Sequence, residues 1–173
     1  MNLKKYNYFF WVTGLSGAGK STFSKSVCAF LDKNNIPHIY LDGDHLRSAI
    51  ASDLQYSKED RKIAAFRYAR LCQLIASQKM TVVCSTISMF DEVREFNRLN
   101  NENYIEIFVD TPMEILKNRN QKKLYSSSQA TVGIEIVPEL PKNSSYIIQN
   151  DESKSFEQLN LELEAYLKQK LGI

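Results

Sequence analysis

YFFWVTGLSGAGKST, Tyr8 to Thr22, joins a short apolar run to a glycine-rich turn and then to a Lys-Ser-Thr step. Tyr8 to Val12 is aromatic and β-branched, the composition of a strand buried on both faces. Gly14, Gly19, Lys20 and Ser21 satisfy G-x-x-x-x-G-K-[ST], and the polar stretch Ser21 to Asn34 behind them is helix-compatible. Strand, glycine loop and helix in this order form a phosphate-binding device. Backbone amides of Ser16, Gly17, Ala18 and Gly19 can curl around a β-phosphate, and the helix start, Lys20 to Thr22, adds the positive end of its dipole. Lys20 then reaches the β and γ oxygens, and the Ser21 hydroxyl is a ligand for Mg²⁺. A nucleoside triphosphate is the expected ligand.

Outward from this loop, strand-like and helix-like segments alternate. His38 to Leu41, Thr81 to Ser85, Tyr104 to Val109 and Tyr146 to Ile148 read as further strands. Asp60 to Gln78, Phe90 to Asn101 and Met113 to Arg119 read as helices between them, and an amphipathic helix closes the chain near Ser153 to Leu171, ending before Gly172. Its Phe156, Leu159, Leu163, Tyr166 and Leu167 fall at helical spacing and predict a packing face. Five strands with such crossovers imply an α/β fold, a five-stranded parallel sheet with helices on both faces, which with the phosphate loop resembles the P-loop NTPases of nucleotide kinase-like type. One domain over residues 1–173 is expected, with the loop-like SSSQATVG, Ser126 to Gly133, inside a lid at about 119–137.

Composition narrows the function. At 173 residues, 43% of them hydrophobic, one compact core is affordable and a multidomain motor is not. Twenty-two basic against twenty acidic residues leave a net charge of +2, scattered along the chain. That distribution argues against a nucleic-acid or membrane partner and for a small-molecule acceptor. Cys28, Cys72 and Cys84 share no ligand spacing and are expected as buried, reduced thiols in a cytoplasmic protein. The apolar run at the start is too short for a signal peptide or membrane span.

Two further stretches speak to the acceptor. DGDHLR, Asp42 to Arg47, follows the second strand and so emerges at the carboxyl edge of the sheet, beside the phosphate loop. Its acids can hold Mg²⁺ water or accept a hydroxyl proton, and its arginine can grip a phosphate; an Asx-type turn with a solvated arginine is the plain alternative. YSKEDR, Tyr56 to Arg61, starts a helix, where Ser57 with Asp60 makes a capping-box variant. A second anionic clamp with an aromatic face is the other reading of the same residues.

Together these signatures resemble the adenylylsulfate kinases, which phosphorylate the 3′-hydroxyl of a nucleotide with a mixed anhydride at its 5′-phosphate. The likeness runs from Tyr8 to Gly133 and keeps the family order: GLSGAGKST, LDGDHLR, YSKEDR, STIS with Arg94 and Arg98 after it, and FVDTPMEILKNRNQKKLY. It implies ATP as phosphoryl donor with Mg²⁺ at Ser21 and Asp42. Catalysis would then fall to Lys20, Asp42, Asp44 and Lys122, with Asp44 favoured as base. Arg47 and Arg61 would bind the acceptor's 5′-group, Tyr56 would stack on its base, and Ile87 and Ser88 would line the acceptor site. Arg119 would cover the ATP adenine, and Lys122 with Tyr125 would close over the reacting phosphates. The same resemblance implies a homodimer, although no exposed apolar stripe marks its surface.

The departures concern the base. Ala64 stands where the family has an asparagine on the acceptor nucleotide, and Lys122-Lys123-Leu124-Tyr125 lacks the usual glycine. Several residues before Gly133-Ile134-Glu135 are missing, including a phenylalanine that completes the sandwich around adenine, unless Tyr125 or Tyr146 replaces it. The sequence is in this respect similar to the cytidine diphosphoramidate kinases, which serve phosphoramidate decoration of bacterial capsules. Cytidine 5′-diphosphoramidate is the expected acceptor and adenylylsulfate the alternative. A catalytically inactive nucleotide-binding regulator would not need Asp42, Asp44, Arg61 and Lys122 together, and kinases of sugars, shikimate or nucleoside monophosphates have no reason to keep the later signatures.

Overall fold

The computed structural model describes residues 7–119 and 137–173. Five strands, β1 (Phe9–Thr13), β2 (His38–Asp42), β3 (Thr81–Thr86), β4 (Tyr104–Asp110) and β5 (Tyr146–Gln149), form one parallel sheet in the order β2-β3-β1-β4-β5. Every adjacent pair is parallel, so each connection must cross the sheet, and helices supply the crossovers. The strands expected from sequence are all present, with ends moved by at most one residue.

Alternation along β1 explains its unbroken apolar character. Phe10 and Val12 face a core shared with α1 (Lys20–Lys33), Leu116 of α5 (Met113–Arg119) and α6 (Phe156–Leu171). Phe9 and Trp11 face the opposite core, formed with Leu46 of α2 (Gly43–Ile50), with α3 (Lys58–Ser77) and with α4 (Asp91–Asn100). Both faces are covered, and all five residues of β1 are buried.

Helix termini follow local chemistry. Ser155 caps α6 through the Gln158 amide while the Gln158 side chain returns to the Ser155 amide, and Gly172 ends the helix in the left-handed region at φ 67°. Leu159, Leu163, Leu167 and Leu171 form the buried face of α6; Phe156, expected to join it, is 44% exposed and sits tilted against Phe23 instead. Ser57 caps α3 by accepting from the Asp60 amide, but the Asp60 carboxylate reaches back to the Gln55 amide rather than to the cap residue.

One reading is refined and one corrected. The Asx-type bond offered as the plain alternative for DGDHLR is present as a helix cap: Asp42 caps α2, an eight-residue helix that includes Asp44 and Arg47, and Arg47 is not a solvated side chain but bonds the Leu54 carbonyl. A carboxylate accepting from the Asp44 amide makes that stretch helical at once, because the cap satisfies a donor that the first turn cannot. Cys28 is only half-buried, unlike Cys72 and Cys84, and burial with the nearby Asp32 charge pushes its thiol up to about 11.

The phosphate loop is set by contact with β4. A methyl group on Gly14 would lie 2.6 Å from the Val109 carbonyl oxygen, so backbone must pass backbone here without a side chain. Gly14→Ala should therefore force the loop off β4 and lower stability by about 1–3 kcal/mol, read by urea denaturation with an unchanged slope.

Candidate active site

The loop between β1 and α1 turns through two residues that only glycine adopts comfortably, Gly17 at φ 78° and Gly19 at φ 99°. Behind it, the Ala18 carbonyl accepts from Thr111 Oγ1 at 3.2 Å and from Asn150 Nδ2 at 2.8 Å. These donors stand just beyond β4 and β5, and Asn150 is itself anchored by its amide to the Asp110 carbonyl at 2.7 Å. The loop is thus held from beneath by two chain segments. Lys20 Nζ donates to the Leu15 carbonyl at 2.8 Å and lies across the loop mouth.

Asp42 forms the next layer. Its Oδ2 accepts from Ser21 Oγ at 3.2 Å and from Tyr40 Oη at 3.0 Å, and its Oδ1 accepts from the Asp44 amide at 3.0 Å. Partial burial pushes its carboxyl up, but the bonds from the Asp44 amide, Tyr40 and Ser21 outweigh it and hold the group below its ordinary value. The same burial and the same carboxylate push the Tyr40 phenol up to about 12. Ser21 and Asp42 thus present two hard oxygen donors side by side, next to the loop that would hold phosphate. Among the described residues no cluster of three or more His, Cys, Asp or Glu forms a metal cage. Such a sparse oxygen pair fits Mg²⁺, which keeps its waters and shares substrate phosphates rather than filling an all-protein site.

Both layers open onto one cleft of about 840 Å³. At its far end, Arg47 and Arg61 place their guanidinium carbons 4.9 and 5.1 Å from the centre of the Tyr56 ring. Arg47 Nη2 donates to the Leu54 carbonyl at 2.7 Å and to the Gln55 carbonyl, while Arg61 Nε donates to the Tyr56 carbonyl at 3.0 Å. Desolvation first, then repulsion from Arg47, shifts the Arg61 guanidinium below its ordinary value. Two cations this close concentrate positive potential in a partly desolvated recess, which is the electrostatics an anionic group seeks. Tyr56 is therefore not a bare stacking platform: two cations already lie against its ring.

Ile87 and Ser88 close one side of the cleft on the segment after β3. Thr13 Oγ1 donates to the Ile87 carbonyl at 2.6 Å, and Ser88, at φ 23°, lies 2.7 Å from Thr86 Oγ1 through its hydroxyl. At the other end Arg119 also lines the cleft and pairs with Glu152 at 3.0 Å.

Of the site residues named from sequence, Ser16, Gly17 and Gly19 to Thr22 line the cleft, as do Asp42, Asp44, Arg47, Tyr56 and Arg61. Gly14 and Ala18 lie behind the loop and shape it without facing the cleft. Lys122 and Tyr125 lie outside the described residues, as does the lid apart from its ends. Tyr146 stacks on Tyr166 at 4.5 Å and is absent from the cleft, so it does not replace the missing ring. Sequence reasoning missed Tyr68 and Phe90, both buried and both cleft-lining, and Asn150. Tyr68 carried a signal, falling one turn after Ala64 on α3; Asn150 carried none, since its value depends on where β5 ends.

A parallel 2-3-1-4-5 sheet with this loop after its central strand is a P-loop NTPase fold, and the relatives it matches are named kinases, phosphotransferases acting on a hydroxyl group. The chain belongs to the adenylylsulphate kinase family, whose model matches residues 7–149. Adenylyl-sulfate kinase of Buchnera aphidicola is 35% identical over 150 residues, 83% of this chain and 73% of that protein. Cytidine diphosphoramidate kinase of Campylobacter jejuni is 34% identical over 145 residues, 81% of this chain and 85% of that protein. Among solved structures, the APS kinase of Mycobacterium tuberculosis in complex with AMPPNP and APS superposes with a TM-score of 0.82 at 29% identity, covering 93% of this chain and 97% of that one. Among the described residues no helix is long and apolar enough to cross a membrane.

The hydrogen bonds at Asp42 have a consequence for acid stability. A carboxyl held below its ordinary value of 3.8 stabilises the fold in its charged form above that pH and loses the contribution as the pH falls through the lowered value. Tyr40→Phe removes one of the three donors, so the decline of Tm between pH 4 and 2.5 should become shallower than in the parent, as thermal scans across that range would show.

Proposed function

We infer that the protein transfers the γ-phosphoryl group of ATP to the ribose 3′-hydroxyl of a small nucleotide carrying a modified 5′-phosphate. One observation carries this reading: the phosphate loop with Ser21 and Asp42 faces the same cleft, of about 840 Å³, as Asp44, Arg47 and Arg61. The loop amides and Lys20 hold the donor's β and γ phosphates, and Arg119, which lines the same cleft, covers the donor base. Ser21 and Asp42 would hold Mg²⁺, which would supply positive charge against the phosphates of the donor. Asp44 accepts the 3′-hydroxyl proton as the oxygen bonds to the γ-phosphorus and the bond to ADP breaks. Arg47 and Arg61 hold the acceptor's anionic 5′-group, with Tyr56, Ile87 and Ser88 around its sugar and base. Lys122 and Tyr125 complete the closure that excludes water. A single kinase domain in the cytoplasm, acting as a homodimer, belongs to this reading.

Cytidine 5′-diphosphoramidate is the preferred acceptor. Ala64 offers no hydrogen bond to an adenine, and the Campylobacter relative that carries this name is as similar as the adenylyl-sulfate kinases and matches over more of its own length. Adenylylsulfate is the second reading, favoured by Tyr68 and Phe90, which add aromatic surface to the acceptor end. Measuring kcat/KM for both acceptors under the same ATP and Mg²⁺ decides between them. A tenfold preference for adenylylsulfate, about 1.4 kcal/mol in transition-state binding, reverses the assignment, and no ADP release with any nucleotide acceptor ends the kinase reading itself.

The base assignment has its own check. Asp44→Asn should lower turnover by about 10²-fold or more while ATP affinity, measured by calorimetry, changes little; unchanged turnover removes Asp44 from that role.

A further inference from the structure

The segment that re-enters the described structure at residue 137 crosses the acceptor end of the cleft, and one side chain there bonds in several directions. The Glu139 amide donates to the Met89 carbonyl at 3.2 Å. The Glu139 carbonyl accepts from Arg94 Nη2 at 2.6 Å, and its Oε2 accepts from the Asp91 amide at 2.6 Å. Its Oε1 lies 3.8 Å from Lys58 Nζ, at the start of α3. Three pieces of chain therefore meet on one residue: the first turn of α3, the start of α4 and the strap containing Pro138.

Those pieces carry walls of the cleft. Met89, Phe90 and Pro138 line it, and Tyr56, Arg61 and Ala64 line it from the α3 side. Phe90 caps α4 but has no side chain able to cap, so the orphan amide of Asp91 is satisfied by Glu139 from another segment. Arg94 is 2% exposed; its charge is met by Asp91 and by the Glu139 carbonyl. Only the guanidinium of this pair is buried, since Asp91 is 57% exposed, so the pair is weak evidence for stability and better suited to selecting one arrangement. The carboxylate of Glu139, in contrast, is over a third exposed, so little burial energy depends on it. Its directed bonds all end on elements that wall the acceptor recess.

We propose that Glu139 is a positioning residue for the acceptor, holding the Met89–Phe90 and Pro138 walls in register with the start of α3, with Arg94 as its buried backing. The inference rests on the reading of this end of the cleft as the acceptor site. It assigns no contact between Glu139 and substrate. Its effect passes through the wall, and a displacement of about 1 Å there is enough to cost about 10²-fold in a well-aligned transfer. Among the described residues no bond joins Glu139 to the phosphate loop, so ATP handling is separate from it.

Glu139→Ala removes the Asp91 and Lys58 contacts but leaves the backbone bonds to Met89 and Arg94, so the chain should fold. Steady-state kinetics with cytidine 5′-diphosphoramidate and adenylylsulfate should show the acceptor KM raised tenfold or more, with the KM for ATP within twofold. Glu139→Gln, which keeps an acceptor for the Asp91 amide, should restore the acceptor KM to within about threefold of the parent. An unchanged acceptor KM in Glu139→Ala, or equal rises for ATP and acceptor, overturns the proposal. If the parent protein turns over neither nucleotide, it is the kinase reading that has failed, and amide hydrogen exchange then judges the positioning. Faster exchange at residues 89–94 with unchanged exchange at residues 14–22 supports it, and no difference at residues 89–94 refutes it.

Discussion

The carbonyl of Ala18 receives hydrogen bonds from Thr111 and Asn150, and through them the phosphate loop is tied to the ends of β4 and β5. A loop with two residues at positive φ gains little from local propensity, and an untethered glycine-rich turn would sample many shapes. Two neutral donors on one buried acceptor remove that freedom. Because the donors come from strands on the far side of β1, the loop is well formed only when the sheet order is correct. Binding geometry is thereby made a property of the whole sheet rather than of nine residues.

The same logic orders the cleft. Asp42 serves three tasks with one carboxylate: it caps α2, accepts from Ser21 across the loop, and takes the Tyr40 hydroxyl. Capping aims α2 so that Asp44 and Arg47, three residues apart on adjacent turns, both face the cleft. Gly43 makes this approach feasible, since a methyl group there would lie 2.9 Å from the Ser85 carbonyl oxygen. The acids beside the loop and the arginines beyond it are therefore coupled through one short helix.

Charge at the Arg47–Arg61 end of the cleft is arranged by backbone as much as by side chains. Arg47 spends donors on the Leu54 and Gln55 carbonyls, which pins its guanidinium against Tyr56, and Arg61 is pinned in the same way by the Tyr56 carbonyl. Immobilised cations lose less side-chain entropy on meeting an anion than free ones would. Such a recess is preorganised for a charged group, whichever base accompanies it.

Much of this could be read from residues in a row. GLSGAGKST behind an apolar strand determined the loop and the fold class, because the chemistry is local: glycines for the turn, a helix start for the dipole, Lys20 and Ser21 at set offsets. DGDHLR and YSKEDR pointed to acids and arginines that line one cleft with the loop, since strand ends in a parallel sheet lead to the same edge. Other features depended on distant segments meeting. Asn150 supports Ala18 only because β5 ends beside β4; Tyr68 and Phe90 face the cleft only because α3 and the segment after β3 converge; Tyr146 turned away because Tyr166 offered it a stacking partner. Even the helix at Asp42 was hidden, since its cap is legible but its length is decided by Leu46 packing under α3. Periodicity and motif carry information over a few residues, whereas these contacts join positions tens to more than a hundred residues apart, and only the folded chain brings them within reach.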